Sequence, residues 1–306
     1  MAEKESLPQE SMEDPGSWKW PGSWTPTDGG NAKLPLLPAK ELQHGEHVYP
    51  MTQKPRGLCI IINNVDFGNR FPKRHGSEVD VRRMEDLFEA LFFRVQTHRD
   101  LSADDMKSVL SDAAKEDKQK NAECLVVILM SHGENDGIYG TDGKWLNLKQ
   151  EVYTQFNDSN CPSLQGKPKL FFVQACRGRE DDFRTDGMRG APNSSHKRKD
   201  WPTLEQDRQS MDWIADVSEM HIAEATRPEL VAHRDTAFGS WFLSAVYKIF
   251  TCHAWELPLE RLMERVQEEV QENTSDSNIK QFPLFTKLRA TKELYFNPGL
   301  RKTPPL

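Results

Sequence analysis

The chain has 306 residues, 37% of them hydrophobic and 28% charged, so its length fits one large α/β domain or two small ones. Its formal net charge of −7 argues against nucleic acid or an anionic membrane as the main partner. Apolar runs such as LVVILM, which has six residues, are far shorter than the ~20 residues that cross a membrane.

Residues 1–50 are rich in Pro, Gly, Ser and Glu and contain the small repeat PGSW at 15–18 and 21–24. They show neither helical nor strand periodicity, so we expect this segment to be disordered. The stretch MAEKESLPQESMEDPGSW has no apolar core, so we expect no signal peptide. The tryptophans could form a docking motif, although a disordered tail is the commoner interpretation.

Residues 57–180 alternate strand-like and helix-like segments. GLCIIINN is typical of a buried strand, and FRVQTH, CLVVILM and KLFFVQA predict three more. Between the first two strands, EVDVRRMEDLFEALFF predicts a helix whose apolar face carries Val81, Met84, Phe88 and Leu91. The alternation indicates an α/β fold with a mostly parallel sheet and helices on both faces.

Residues 179–217 interrupt this pattern with a long polar stretch, and we expect a connection of that length to be functional or disordered. The order resumes with the strand-like HIAEAT and the helix-like GSWFLSAVYKIF. The segment PLERLMERVQEEVQ predicts an amphipathic helix with an apolar stripe of Leu259, Leu262, Val266 and Val270. KELYF, near the end, predicts a last strand.

Five cysteines lie at widely spaced positions, with no CxxC pair: Cys59, Cys124, Cys161, Cys176 and Cys252. An odd number at such spacings fits reduced thiols in the cytosol or nucleus. Cysteine and histidine ligand spacing is absent apart from the isolated pair Cys252–His253, so we expect no metal site.

Cys176 stands at the end of an apolar strand in KPKLFFVQACRGRED, residues 167–181. A lone cysteine is most often a buried core thiol. Here, however, a second strand ends in SHGENDG and brings His132 and Gly133 to the same edge of the predicted sheet, where such sheets bind ligands. A thiol beside an imidazole is the arrangement needed for acyl transfer, so nucleophile and core thiol both remain open on these features alone.

The sequence resembles the caspases. QACRG matches the signature of that family, with His132 44 residues upstream of Cys176. SHGENDGIYGTDG, CPSLQGKPKLFFVQACRG, GSWF and TKELYF also look like caspase segments in caspase order, so the similarity covers roughly residues 50–300.

The resemblance implies a caspase-like, doubly wound fold and a cysteine endopeptidase that cleaves after aspartate, made as a zymogen and active as a dimer of large–small pairs. It implies a pro-segment at 1–50, a large subunit at 51–178, a processing linker at 179–217 and a small subunit at 218–306. It further implies no cofactor, protein substrates, an upstream activating protease and a cytoplasmic role in apoptosis or related signalling. The basic cluster HKRK at 196–199 is either a nuclear signal or, more commonly, a solvated linker patch.

By resemblance, Cys176 is the nucleophile, His132 the general acid and base, and the amide of Gly133 an oxyanion donor. An aspartate-binding pocket is implied at Arg74 in KRHGSEVD, Gln174 in VQAC and Arg234 in VAHRD.

The sequence departs from the family at Ala232 and His233, where most caspases have Ser-Trp, and at Val231, where an aromatic is frequent. Trp241 remains as one wall of the outer subsite. We therefore expect strict aspartate selection at the cleavage position and weak selection at the second position.

The linker carries several aspartates, and Asp186 before Gly187 is the first candidate for cleavage, with Asp216 second. Asp28 before Gly29 could release the pro-segment. Fifty residues cannot hold the six-helix adaptor domains of initiator caspases, which favours an effector-type enzyme. The alternative is a caspase-fold partner of little turnover that regulates another caspase by pairing with it.

Overall fold

The computed structural model describes residues 36–115, 117–176, 216–227, 232–236, 238–272 and 280–300. In the first part of the chain the elements are β1 (Leu58–Asn63), α1 (Ser77–Ala90), β2 (Arg94–Arg99), α2 (Ala103–Ala114), β3 (Leu125–Met130), β4 (Gly133–Glu134), β5 (Gly137–Tyr139), β6 (Trp145–Asn147) and β7 (Lys169–Gln174). The later elements are β8 (Met220–Glu224), β9 (Arg234–Asp235), β10 (Gly239–Ser240), α3 (Trp241–His253), α4 (Leu259–Glu272) and β11 (Leu284–Leu288).

A six-stranded sheet in the order β11-β8-β7-β3-β1-β2 forms the centre of the fold. All neighbouring strands are parallel except β11, which runs antiparallel to β8 at one edge. Every residue of β1, β3 and β7 is buried, because the sheet is covered on both faces. The expected α/β architecture is confirmed.

Helices α1, α3 and α4 cover one face of the sheet, and α2 with short 3-10 and π segments covers the other. The expected stripe of α4 is confirmed, since Leu259, Leu262, Val266 and Val270 are all buried. Burying one such aliphatic side chain stabilises the fold by about 1.5–3 kcal/mol, so this stripe alone anchors α4 firmly. Of the described helices, none is long and apolar enough to cross a membrane.

The prediction of a strand at KELYF, residues 292–296, is wrong. Within it only Glu293 forms an isolated bridge, to Val48, while Leu294 and Phe296 are buried in the core. The alternation that resembled a strand therefore reflects core packing of an extended segment. The last strand is instead β11, whose mixture of apolar, threonine and lysine residues gave no clear pattern.

Candidate active site

The carboxyl ends of three parallel strands lie side by side at one edge of the sheet. Asn63 at the end of β1 pairs with Met130 at the end of β3, and Met130 pairs with Gln174 at the end of β7. His132 follows β3 by two residues and Cys176 follows β7 by two residues. The topology thus brings both candidate catalytic side chains to the edge where open α/β sheets bind ligands.

The Cys176 thiol lies at the rim of the core rather than inside it. The side chain is partly exposed, and its Sγ contacts the carbonyl oxygen of Ala232 at 3.7 Å. By contrast, burial raises the pKa of the Cys59 and Cys124 thiols far above the usual range. A thiol at the rim remains accessible to a substrate, whereas those two are inert core groups.

The backbone at Gly133 lies directly against the segment that carries the nucleophile. A Cβ added at Gly133 would sit 3.0 Å from the Cβ of Ala175, 3.2 Å from the carbonyl oxygen of Cys176 and 2.6 Å from that of Gly137. Only glycine fits this close approach. The backbone of Gly133 is therefore held close to any group that is bound at Cys176.

The His132 ring is fixed in orientation and kept neutral. Its Nε2 donates to the carbonyl oxygen of Pro72 at 2.7 Å, and the rings of Phe67 and Phe71 pack at centroid distances of 4.9 and 5.4 Å. Burial lowers the pKa of His132 to about 4; the Arg74 and Arg234 charges also lower it, while the Pro72 hydrogen bond raises it. With Nε2 carrying the proton, Nδ1 is the ring's proton acceptor near neutral pH.

Arg74 is almost fully buried beside these strand ends. Its Nη1 donates to the Asn63 side chain at 3.1 Å and to the Asn64 carbonyl at 2.8 Å, whereas its buried Nη2 has no hydrogen-bond partner within the part of the chain that the structure describes. Desolvation, and then repulsion by Arg234, lower the pKa of Arg74 to about 9, which still leaves the guanidinium charged at neutral pH. A buried charged donor with an unused N–H is suited to bind an incoming anion.

Gln174 is the last residue of β7 and is also buried. The Oε1 atom of its side chain is buried and accepts no hydrogen bond from any residue that the structure describes. Within the part of the chain that the structure describes, Arg74 thus has a donor and Gln174 an acceptor that form no hydrogen bond. Because native proteins rarely leave buried polar groups unsatisfied, the pair indicates a site that a polar ligand completes.

Arg234 is held close to Arg74 by a small antiparallel ribbon. Its Nε donates to the His75 carbonyl at 2.9 Å, and it pairs with Ser240 across β9 and β10. Ser240 in turn donates its amide to both carboxylate oxygens of Asp80 on α1, at 3.0 and 3.1 Å. This series of contacts fixes the ribbon to α1, so the two arginines approach each other closely enough to repel.

Ala232, His233 and Trp241 line the same region. The His233 ring stacks on Trp241 with a centroid distance of 4.5 Å and an interplanar angle of 26°. The Trp241 amide donates to the His233 carbonyl at 3.2 Å, and Ala232 is buried with its carbonyl facing Cys176. Val231 lies outside the described residues.

The expected processing positions are only partly described, since Asp28 and Asp186 lie outside the described residues. Asp216 lies at the end of the linker, and its carbonyl accepts a hydrogen bond from the Asp158 amide at 3.1 Å. The next residue, Val217, is fully buried, and the Ser218 hydroxyl donates to the Asp158 carboxylate at 2.7 Å. In this form of the chain the bond after Asp216 is packed against the core.

Several residues that support the site were missed from the sequence. The Pro72 carbonyl orients His132, Asn63 holds Arg74, and Asp80 holds Ser240. A carbonyl carries no sequence signal, because every residue has one. Asn63 could have been found, since two consecutive asparagines at the carboxyl end of a buried strand need partners.

The comparisons with known proteins agree with this geometry. The family model described as a caspase domain matches residues 56–295. The chain is 37% identical to caspase-7 of Gallus gallus over 257 residues, covering 81% of this chain and 79% of that protein. It is 34% identical to caspase-3 of Bos taurus over 260 residues, covering 82% and 88%.

Caspase-2 of Gallus gallus is 35% identical over 209 residues, or 68% of this chain. The chain spans about half of the length of that relative, since the match covers 49% of it. The sheet topology, the strand-end placement of Cys176 and His132, and the extent of these matches lead to one conclusion: the chain belongs to the caspase family, a family of cysteine peptidases.

Proposed function

We propose that this protein is a cysteine endopeptidase that hydrolyses peptide bonds after aspartate, with Cys176 and His132 as its dyad. The observation that carries the proposal is the buried guanidinium of Arg74, whose Nη2 has no hydrogen-bond partner among the described residues and whose pKa is lowered by burial and by the Arg234 charge and raised by Cys176. A cation trap next to a partly exposed thiol suits a substrate with a short carboxylate beside the scissile bond.

The proposed reaction begins when neutral His132 takes the proton of the Cys176 thiol. The thiolate attacks the scissile carbonyl carbon, and the resulting oxyanion accepts hydrogen bonds from the amides of Gly133 and Cys176. The C–N bond then breaks as protonated His132 gives its proton to the leaving amine, which leaves a thioester on Cys176. His132 next activates a water molecule, which releases the carboxylic acid and restores the thiol.

In this mechanism the Pro72 carbonyl orients the ring of His132. A proton fixed on Nε2 leaves Nδ1 as the base, and the low pKa of the ring keeps that base unprotonated at neutral pH. Proton transfer to the ring is assisted because the imidazolium that forms still donates to Pro72. The arrangement follows the general logic of a nucleophile, a base and a third group that orients the base.

Aspartate selection in this proposal comes from Arg74, Gln174 and Arg234. Two guanidinium groups favour a carboxylate over an amide, and the depth set by buried Arg74 favours the shorter aspartate over glutamate. Ala232, His233 and Trp241 would contact the residues that precede the aspartate, with the stacked His233 and Trp241 rings forming one wall.

The wider proposal keeps the pro-segment at 1–50, the subunits at 51–178 and 218–306, and activation by a cut within 179–217, in an enzyme of effector type. Asp186 is the better candidate for that cut, because Val217 after Asp216 is fully buried. Among the described strands β11 is an edge strand, and that edge could take a second copy of the chain, which supports the proposed dimer. The five cysteines form no disulfide, which favours a reducing, cytoplasmic location. The proposed role is in apoptotic or related signalling, as for the family.

A second candidate is a family member of low turnover that acts by pairing with another caspase. The observation in its favour is the Ala232–His233 pair in place of the usual Ser-Trp. It differs from the first candidate in one measurable respect, since it requires no efficient hydrolysis.

The test of the proposed function compares Cys176→Ala with Cys252→Ala in the full chain. Cys252 is a partly buried thiol on α3, away from the strand ends, and serves as the matched control. We expect Cys176→Ala to abolish hydrolysis of an aspartyl peptide and Cys252→Ala to retain it. Near-full turnover by Cys176→Ala would refute the thiol mechanism, and absence of turnover in the unmodified, linker-cleaved protein would favour the second candidate.

A further inference from the structure

The segment 232–236 contains the backbone that faces the candidate nucleophile, and a buried side-chain amide is among the groups that hold it. Gln281 is 0% exposed. Its Oε1 accepts a hydrogen bond from the His233 amide at 2.8 Å, and its Nε2 donates to the Ala225 carbonyl at 2.7 Å. One side chain thus links two separate parts of the chain, and each contact uses a different end of the amide.

Ala225 connects this amide to the catalytic edge of the sheet. It lies one residue beyond β8, and its own amide donates to the Val173 carbonyl at 2.9 Å. Val173 lies in β7, directly before Gln174 and three residues before Cys176. Three hydrogen bonds therefore help to set the position of His233 relative to the nucleophile, in a path that begins at β7, passes through Ala225 and Gln281, and ends at His233.

The neighbours of His233 show what this path holds in place. The Ala232 carbonyl contacts the Cys176 Sγ at 3.7 Å, and the Arg234 Nε donates to His75, next to Arg74. A shift of the His233 backbone would therefore displace both a residue facing the thiol and one of the two arginines. Small displacements of binding groups of this kind weaken substrate binding strongly.

We infer that Gln281 is a positioning residue that fixes the substrate-binding segment 232–236 against the end of β8. This inference rests on the proposed function, because it takes the segment to be where the peptide binds. Glutamine suits the role because its amide provides one acceptor and one donor at fixed separation. A methionine of similar size provides neither, and a glutamate keeps the acceptor toward His233 but, when ionised, loses the donor toward Ala225.

The experiment uses the full chain after linker cleavage, with Gln281→Met, Gln281→Glu and the control Gln267→Met. Gln267 is a half-buried glutamine on α4 whose Nε2 donates to the Pro283 carbonyl at 3.2 Å, so it ties down the same part of the chain without contacting His233. Three quantities are measured: kcat and KM for an aspartyl tetrapeptide, the thermal midpoint, and the rate at which iodoacetamide alkylates Cys176. Iodoacetamide is so small that it reacts with the thiol without binding to the segment 232–236.

We expect Gln281→Met to raise KM by about 10-fold or more, with kcat changed by less than about 3-fold, because it removes binding rather than chemistry. Gln281→Glu should raise KM by a smaller factor, and Gln267→Met should leave KM unchanged. Iodoacetamide should alkylate Cys176 at the same rate in every folded variant. If Gln281→Met does not fold, Gln281→Glu decides the question alone.

An unchanged KM in a folded Gln281 variant would overturn the inference while leaving the proposed function intact. So would a fall in thermal midpoint and kcat that Gln267→Met reproduces, since that pattern marks a purely structural residue. A wild-type chain that hydrolyses no peptide but reacts with iodoacetamide would overturn the proposed function, and the inference with it.

Discussion

Arg74 offers the sharpest test of how the site selects its substrate. The perturbation is Arg74→Met, which removes the charge and approximates the volume of the side chain. It also removes the hydrogen bonds to Asn63 and Asn64, so a loss of activity alone would not identify the cause. The substrate is therefore varied together with the enzyme, by comparing peptides with aspartate or asparagine at the cleavage position.

The expected size of the effect follows from the geometry of Arg74. Its side chain is buried, and one of its guanidinium nitrogens has no hydrogen-bond partner among the residues described, so a bound carboxylate would form a charged hydrogen bond away from water. Such a bond contributes about 1.5–3 kcal/mol, which corresponds to a factor of about 10–150 in kcat/KM. We expect the ratio of kcat/KM for aspartate over asparagine to fall by that factor in Arg74→Met.

The assay measures kcat/KM for both peptides with wild type, Arg74→Met and the control Lys73→Met. Lys73 is the adjacent cation, half-exposed and paired with Asp66 at 3.3 Å, so its removal changes the net charge equally without entering the site. Because structural damage affects both peptides alike, it cancels in the ratio. If the ratio in Arg74→Met equals that of wild type, Arg74 does not bind the carboxylate and the pocket is assigned wrongly.

Three further predictions concern pH, subsite selection and activation. Since burial lowers the pKa of His132 to about 4, kcat/KM should fall only as the pH approaches that value, and an acid limb centred near the ordinary 6.5 would contradict the neutral ring. His233→Trp should sharpen selection for small aliphatic residues at the second position in a peptide library with aspartate fixed, and an unaltered profile would place His233 outside that subsite. Asp186→Ala should leave the chain uncut and weakly active, and terminal sequencing that finds the activating cut only after Asp216 would exclude Asp186.

The convergence of Cys176 and His132 could be predicted from the sequence because parallel strands share a direction. Two apolar runs that end in chemically active residues must deliver them to the same edge of the sheet. The stripe of α4 was predictable for a similar reason, since helical periodicity fixes which residues share a face. In both cases the sequence pattern is local, and the regular geometry of the strand or helix determines where its side chains lie.

Other features depend on contacts between distant parts of the chain and could not be predicted. The Pro72 carbonyl accepts from the ring of His132, 60 positions away, and the Gln281 side chain accepts from the amide of His233, 48 positions away. Neither contact has a distinctive local motif. KELYF was predicted as a strand because its apolar residues alternate, although that alternation only buries Leu294 and Phe296 in the core. Period alone does not distinguish a paired strand from an extended segment packed on a helix layer.

The central claim is that Cys176 is a nucleophile served by an aspartate pocket. It is tested most directly by incubating the linker-cleaved chain with an irreversible peptide electrophile carrying aspartate, and locating the adduct by mass spectrometry. The account predicts one adduct, on Cys176, formed much faster than with the matching asparagine electrophile. Equal labelling by both reagents, or an adduct on another cysteine, would contradict it.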